Sequence, residues 1–215
     1  MGDIKACLFD LDGVIVDTAK YHYLSWKRLA KELGFDFTAE DNERLKGVSR
    51  MASLEILLSL GGYKATEAEK QEMAAKKNKW YVEYIEKLKE DEILPGVKEF
   101  LTTLREAGIK IALGSASKNS MRILENLKLI PYFDAIIDGT KVSKAKPDPE
   151  VFLLGAKELF VKPEETVVFE DAEAGVEAAK RAKMKAVGIG SKEVLKDADK
   201  VISGFLGVGL DILEF

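Results

Sequence analysis

From Ile93 to Ile202, short apolar runs alternate with stretches of helical periodicity, and no other feature of the sequence narrows the fold so far. The spacing predicts helices over Val97–Ala107, Asn119–Leu127, Glu150–Phe160 and Ala174–Ala182. It predicts strands over Ile109–Leu113, Ala135–Ile137, Thr166–Phe169 and Ala186–Ile189, with Val201-Ile202 closing the set. Continuously apolar strands are covered on both faces. Strands separated by helices pair in parallel, because each helix carries the chain back to the same edge. Such a chain folds as a doubly wound parallel-sheet (Rossmann-like) α/β core.

One strand stands apart. Ala6-Cys7-Leu8-Phe9 is as apolar as the others, but residues 16–92 follow it with helical periodicity and little strand signal. Trp26, Leu29, Ala30 and Leu33 fall at i, i+3, i+4 and i+7, with Gly34 as a stop. Leu54, Leu57 and Leu58 repeat the pattern, and Thr66–Lys89 reads as one long charged helix with Met73, Tyr81, Tyr84, Ile85 and Leu88 as its stripe. The core therefore spans 1–15 and 93–215, and 16–92 is an inserted all-helical cap. The insertion leaves the sheet at the carboxyl end of a strand, the ligand-binding edge of an open α/β sheet. A helical insertion there is placed to act as a lid. Val14–Asp17 and Glu90–Pro95 are the expected hinges.

Acids gather at that same edge. The first strand runs into Asp10-Leu11-Asp12-Gly13, Thr166–Phe169 runs into Glu170-Asp171, and Ile109–Leu113 runs into Gly114-Ser115-Ala116-Ser117. Any one of these acids alone reads as a turn or helix cap. If the strands are parallel neighbours, Asp10, Asp12, Glu170 and Asp171 converge. Carboxylates crowded away from water need a partner. A hard cation with oxygen ligands, Mg2+ above all, fits best.

Composition sets the outer bounds. An apolar fraction of 47% supports a real core, and a net charge of −4 argues against a nucleic-acid or membrane surface. Cys7 is the sole cysteine and His22 the sole histidine, which excludes an internal disulfide and a Cys/His zinc cluster. Cys7 reads as a small core residue. No stretch approaches a bilayer span. The chain enters its first strand directly, so no signal peptide is expected. Met1-Gly2 hints at myristoylation, but Ala6 stands where Ser or Thr is wanted. A cytoplasmic protein is the expectation.

Asp10-Leu11-Asp12-Gly13-Val14, Ser115, Lys146-Pro147 and Glu170-Asp171, in that order, resemble the four motifs of the haloacid dehalogenase-like phosphotransferases. Three further pieces are similar to the family's sugar-phosphate mutases: Asp17-Thr18-Ala19-Lys20-Tyr21-His22, Arg44 to Arg50, and Ser115-Ala116-Ser117-Lys118-Asn119. With Trp26 and Lys77, the resemblance covers nearly the whole chain.

The resemblance implies interconversion of β-D-glucose 1-phosphate and β-D-glucose 6-phosphate, with β-D-glucose 1,6-bisphosphate as intermediate and activator; a sugar-phosphate phosphatase is the alternative. It implies a monomer acting on small sugar phosphates. Asp10 would be the nucleophile, forming an aspartyl phosphate. Asp12 would be the general acid/base, a task for which a raised pKa is expected. Asp10, Glu170, Asp171 and the Asp12 carbonyl would hold Mg2+. Ser115 and Lys146 would hold the transferring phosphoryl group. His22, in the cap, would hydrogen-bond Asp12 on closure, with Thr18 in a related part at the hinge. Lys46, Gly47, Val48 and Arg50, together with Ser53 and Lys77, would clamp a second phosphate and the sugar from the cap. Ala116, Ser117, Lys118 and Asn119 would complete that pocket from the core. Arginine suits the task through its planar fork.

Overall fold

The computed structural model describes residues 4–46 and 48–215, so Met1, Gly2, Asp3 and Gly47 lie outside the described residues. Six strands, β1 (Ala6–Phe9), β2 (Lys110–Gly114), β3 (Ala135–Ile137), β4 (Thr166–Glu170), β5 (Lys185–Ile189) and β6 (Lys200–Ile202), form one sheet in the order β3-β2-β1-β4-β5-β6. Every pairing is parallel. Phe9 stands level with Leu113 on one side and Phe169 on the other. The chain steps outward from β1 to β3, then returns across β1 to start β4. That reversal opens a crevice beyond the carboxyl ends of β1 and β4.

Between β1 and β2 lie four helices of the inserted block, α1 (Ala19–Glu32), α2 (Ala39–Glu43), α3 (Arg50–Leu60) and α4 (Glu67–Ile85), and then α5 (Val97–Glu106). Trp26, Leu29, Phe37, Leu54, Leu57 and Trp80 give the block an apolar core of its own. Thr38 and Asp41 form a capping box on α2, as do Thr66 and Glu69 on α4. Ser49 caps α3 by accepting the Ala52 N–H. Each such cap is worth about 0.5–2 kcal/mol. Helix α2 is too short to show periodicity; its capping box was its one sequence signal.

The sheet separates two further apolar layers. Cys7, Phe9, Leu113 and Phe169 face α5 and α6 (Ser120–Asn126). Phe9 stacks on Phe169 with centroids 4.7 Å apart, and Phe100 and Phe205 close around them. Leu8, Ala112 and Val168 face α7 (Glu150–Glu158) and α8 (Glu173–Arg181). Cys7 is buried in the first of these layers, as its sequence context implied.

Most elements lie within one or two residues of their expected bounds. The long helix is the exception: α4 ends at Ile85, short of Lys89. The chain must be extended by Ile93, because Val16 bridges Ile93 in antiparallel sense. Asp17 N–H also donates to the Glu92 carbonyl, and Leu94 N–H to that of Ile15. The two linkers thus run side by side. Among the described residues, no helix is long and apolar enough to cross a membrane.

Candidate active site

Asp10 directly follows β1, and its N–H donates to the Phe169 carbonyl at 3.0 Å, so the sheet ladder fixes its place. Glu170 ends β4 and Asp171 follows. Ligand oxygens of Asp10, Glu170 and Asp171 lie within 4.8 Å of one another. Lys146, from the loop before α7, is 3% exposed and sends its Nζ to Asp10 Oδ1 at 2.6 Å and Glu170 Oε1 at 2.5 Å. The second oxygen of Glu170 accepts the Ala172 N–H at 3.0 Å.

Two glycines make room for these carboxylates. A Cβ on Gly13 would lie 2.2 Å from Asp171 Oδ2, and one on Gly175 would lie 1.9 Å from Glu170 Cδ. Burial drives the Asp10 carboxyl well up; Glu170 and Asp171 add to the shift, and Lys146 opposes it. Burial and then Glu170 raise Asp171 from 3.8 to about 7. Burial works against the Lys146 ammonium, but Asp10 and Glu170 outweigh it and hold it charged. Three carboxyl groups crowd around one ammonium, and the crowding that resists their ionisation leaves an all-oxygen donor set short of positive charge. A divalent hard cation such as Mg2+ fits those residues.

Asp12 does not join that cluster. Its carboxylate turns toward the cap, where Thr18 Oγ1 donates to Oδ1 and His22 Nε2 stands 3.7 Å away. The expected convergence of four side-chain carboxylates is therefore corrected to three. The expectation of a raised Asp12 pKa is corrected as well. Burial pushes it up, but the nearby His22, the Thr18 hydroxyl and the Lys77 charge together bring it below its ordinary value.

The cap residues around Asp12 form a chain of contacts. Lys77 Nζ is 2.9 Å from His22 Nδ1. The other ring nitrogen, Nε2, faces Asp12. Lys77 is 2% exposed and lies over the rings of Trp26 and Tyr81, at 4.5 and 4.8 Å. Tyr81 also stacks on His22, with centroids 4.1 Å apart. Burial, and then Arg50, bring Lys77 down to about 7. Burial and the Lys77 charge lower His22.

Between core and cap lies a cavity of about 440 Å³. Asp10, Asp12, Asp171 and Ser115 through Asn119 line it from the core. His22, Lys46, Val48, Arg50, Ser53 and Lys77 line it from the cap. Thr18, Lys146 and Glu170 stand behind its wall. Ser115 Oγ accepts the Ser117 N–H and Ser117 Oγ accepts the Asn119 N–H, at 3.1 and 3.2 Å. Arg50, at the first turn of α3, is partly buried, and that burial lowers its pKa. Lys46 pairs with Glu43 at 2.9 Å on the cavity's edge.

Sequence reasoning missed two residues here. Asn119 Nδ2 donates to Asn78 Oδ1 at 2.9 Å, joining core to cap. Asn78 gave no signal beyond following Lys77. Tyr81 was read as part of an apolar stripe, although it sits at i+4 from Lys77 and so on the same helix face.

The sequence model of the haloacid dehalogenase-like hydrolases matches residues 7–189. The chain is 46% identical to the beta-phosphoglucomutase of Bacillus subtilis, covering 98% of this chain and 94% of that one. The crystal structure of beta-phosphoglucomutase (pgmB) from Clostridium difficile superposes with a TM-score of 0.93 at 43% identity, over 98% and 95% of the two chains. A phosphorylated-carbohydrates phosphatase of Thermotoga maritima is 36% identical, over 83% of this chain and 82% of that one.

Proposed function

Because the chain belongs to the haloacid dehalogenase-like hydrolase family, we propose that it is a mutase interconverting β-D-glucose 1-phosphate and β-D-glucose 6-phosphate. The reaction would pass through an aspartyl phosphate on Asp10 and β-D-glucose 1,6-bisphosphate. The observation that carries this reading is the two-walled cavity. Asp10, paired with the cationic Lys146, lines it from the core together with Lys118 and Asn119, and Arg50 lines it from the cap. A substrate that alternately presents two phosphates needs both walls. A phosphatase needs only the first, with water as acceptor.

Asp10, Glu170, Asp171 and the Asp12 carbonyl would hold Mg2+. When bound, the ion neutralises charge so that an anionic phosphate can approach an anionic nucleophile. Lys146 and Ser115 would hold the phosphoryl oxygens in line with Asp10. Asp12, kept as a carboxylate by Thr18, His22 and Lys77, is in the form that takes a proton. It would take that proton from the sugar hydroxyl attacking the aspartyl phosphate. After the bisphosphate turns end for end, Asp10 attacks the other phosphate and Asp12 returns the same proton to the leaving sugar oxygen. The low pKa of Asp12 thus suits the first half-reaction, and the proton gained there supplies the second.

Residues 16–92 would move as the lid, with the paired linkers at Val14–Asp17 and Glu90–Pro95 as hinges. We place the enzyme in the cytoplasm as a monomer, with sugar phosphates as its partners and neither nucleic acid nor membrane among them.

Arg50→Lys tests the assignment of the cavity's two walls. Lysine keeps the charge and loses the planar fork. Mutase activity should fall about tenfold or more, the equivalent of about 1.4 kcal/mol in the transition state. Phosphorylation of Asp10 by acetyl phosphate, which carries no distal phosphate, should be nearly unchanged. Equal loss in both reactions would remove Arg50 from the distal-phosphate site.

A further inference from the structure

We infer that the divalent cation reaches its carboxylates through a second cleft at the rear of the cap–core junction, separate from the sugar cavity. This inference rests on the metal reading of Asp10, Glu170 and Asp171, and it concerns how the ion enters and leaves. The rear cleft has a volume of about 590 Å³. Its cap side is formed by Ala19, Glu43 and Lys46, and its core side by the loops that follow β5 and β6. Asp171 lines both this cleft and the sugar cavity, whereas Asp10 lines only the sugar cavity and Glu170 lines neither.

The opening onto Asp171 depends on Gly13. That glycine lines the rear cleft, and any Cβ on it would sit 2.2 Å from Asp171 Oδ2. Without a side chain there, the carboxylate oxygen forms part of the cleft wall. Exposed Asp17 and Glu43 stand at the rim, each beside a lysine, Lys20 at 3.7 Å and Lys46 at 2.9 Å. The rest of the wall includes Leu94, Val194 and Leu206, which offer an ion no ligand. Among the described residues the acids grouped closely enough to hold an ion are Asp10, Glu170 and Asp171, so the cleft is a passage and not a second metal site. Lys46 borders both cavities and is held by Glu43 at 2.9 Å, so its stem forms part of the partition between them.

A consequence follows for the order of events. A sugar phosphate seated between cap and core occupies the front entrance, yet the rear cleft leaves Asp171 reachable. The cation should exchange with the sugar site occupied and the cap closed.

Ser203 lines the rear cleft and is exposed, and Cys7 is the sole cysteine of the chain and buried. Ser203→Cys can therefore be labelled at one position with a bulky methanethiosulfonate that dithiothreitol removes. The protein is loaded with Mn2+ and mixed with excess EDTA, and release is followed by water-proton relaxation. Saturating glucose 6-phosphate is present, with no phosphoryl donor, so no turnover occurs. The unlabelled protein should release Mn2+ at the same rate with and without the sugar phosphate. The label should slow release by about tenfold or more, leave the equilibrium Mn2+ affinity unchanged, and lose its effect on reduction. Gly204→Trp is the second variant: a Cβ there meets nothing within 4 Å, so the backbone accepts it. It should slow release in the same way.

The inference is overturned if glucose 6-phosphate alone arrests release, or if neither blocked form slows it. A label that slows release only by changing equilibrium affinity also overturns it, since that marks distortion of the ligands. Failure of the unmodified protein to bind Mn2+ would instead retire the metal reading on which the inference stands.

Discussion

Replacing Asp171 by asparagine should stabilise the metal-free protein. Burial and the neighbouring Glu170 raise the Asp171 carboxyl from 3.8 to about 7. An acid whose pKa is higher in the folded state binds more protons folded than unfolded between the two values. Stability therefore falls as pH climbs from about 4 to about 7, and the full cost is present above that window. Each pH unit corresponds to about 1.4 kcal/mol, so a displacement of this size amounts to about 4 kcal/mol at most. Asp171 is partly exposed and Lys46 acts against the shift, so screening reduces the expected figure to about 2 kcal/mol. Asp171→Asn keeps the shape and removes the charge. Urea unfolding in EDTA at pH 8 should show the variant more stable by about 2 kcal/mol, and at pH 4.5 the gap should nearly close. Excess Mg2+ should reverse the order, because the wild type gains about 2.7 kcal/mol at a hundred times Kd and the variant gains less. A variant less stable than wild type in EDTA at pH 8, or a gap independent of pH, would refute the electrostatic account of the cluster.

Other outcomes follow from the same geometry. Lys146→Met strands Asp10 and Glu170 without their ammonium, and in EDTA at pH 8 it should cost about 3–5 kcal/mol by chemical denaturation, a loss that Mg2+ partly restores. Asp10→Asn should abolish aspartyl-phosphate formation, read by acid-stable trapping of radiolabel from acetyl phosphate. Asp12→Asn should lower turnover by about a hundredfold or more while equilibrium Mn2+ binding stays close to wild type, because the Asp12 side chain lies outside the carboxylate cluster.

The core was largely legible in the sequence because its signals are local. Apolar runs such as Cys7–Phe9 and Val167–Phe169, short and set between helical stretches, read as strands with both faces covered, and the acids that end them fall at one edge by parallel pairing. Asp10, Glu170 and Asp171 come together for that reason. Asp12 escaped the same logic, since a carboxylate two residues beyond a strand can turn either way. Its direction is set by Thr18 and His22, which lie on the cap. The downward shift of its pKa follows from partners that no spacing rule reveals. Asn78 and Tyr81 were illegible for a like reason: each matters through one long-range contact, with Asn119 and His22 respectively. The end of α4 was misjudged because pairing of Val16 with Ile93 overrides the helical propensity of a charged stretch.

The fate of the phosphoryl group decides the account most directly. The protein is given β-D-glucose 1-phosphate, Mg2+ and a trace of β-D-glucose 1,6-bisphosphate, and glucose 6-phosphate and free phosphate are measured in the same reaction. With Asp10, Arg50 and Lys118 lining one cavity, the proposed two-phosphate site predicts that glucose 6-phosphate accumulates in large excess over phosphate. Free glucose and phosphate as the main products would contradict the mutase reading and leave a sugar-phosphate phosphatase in its place.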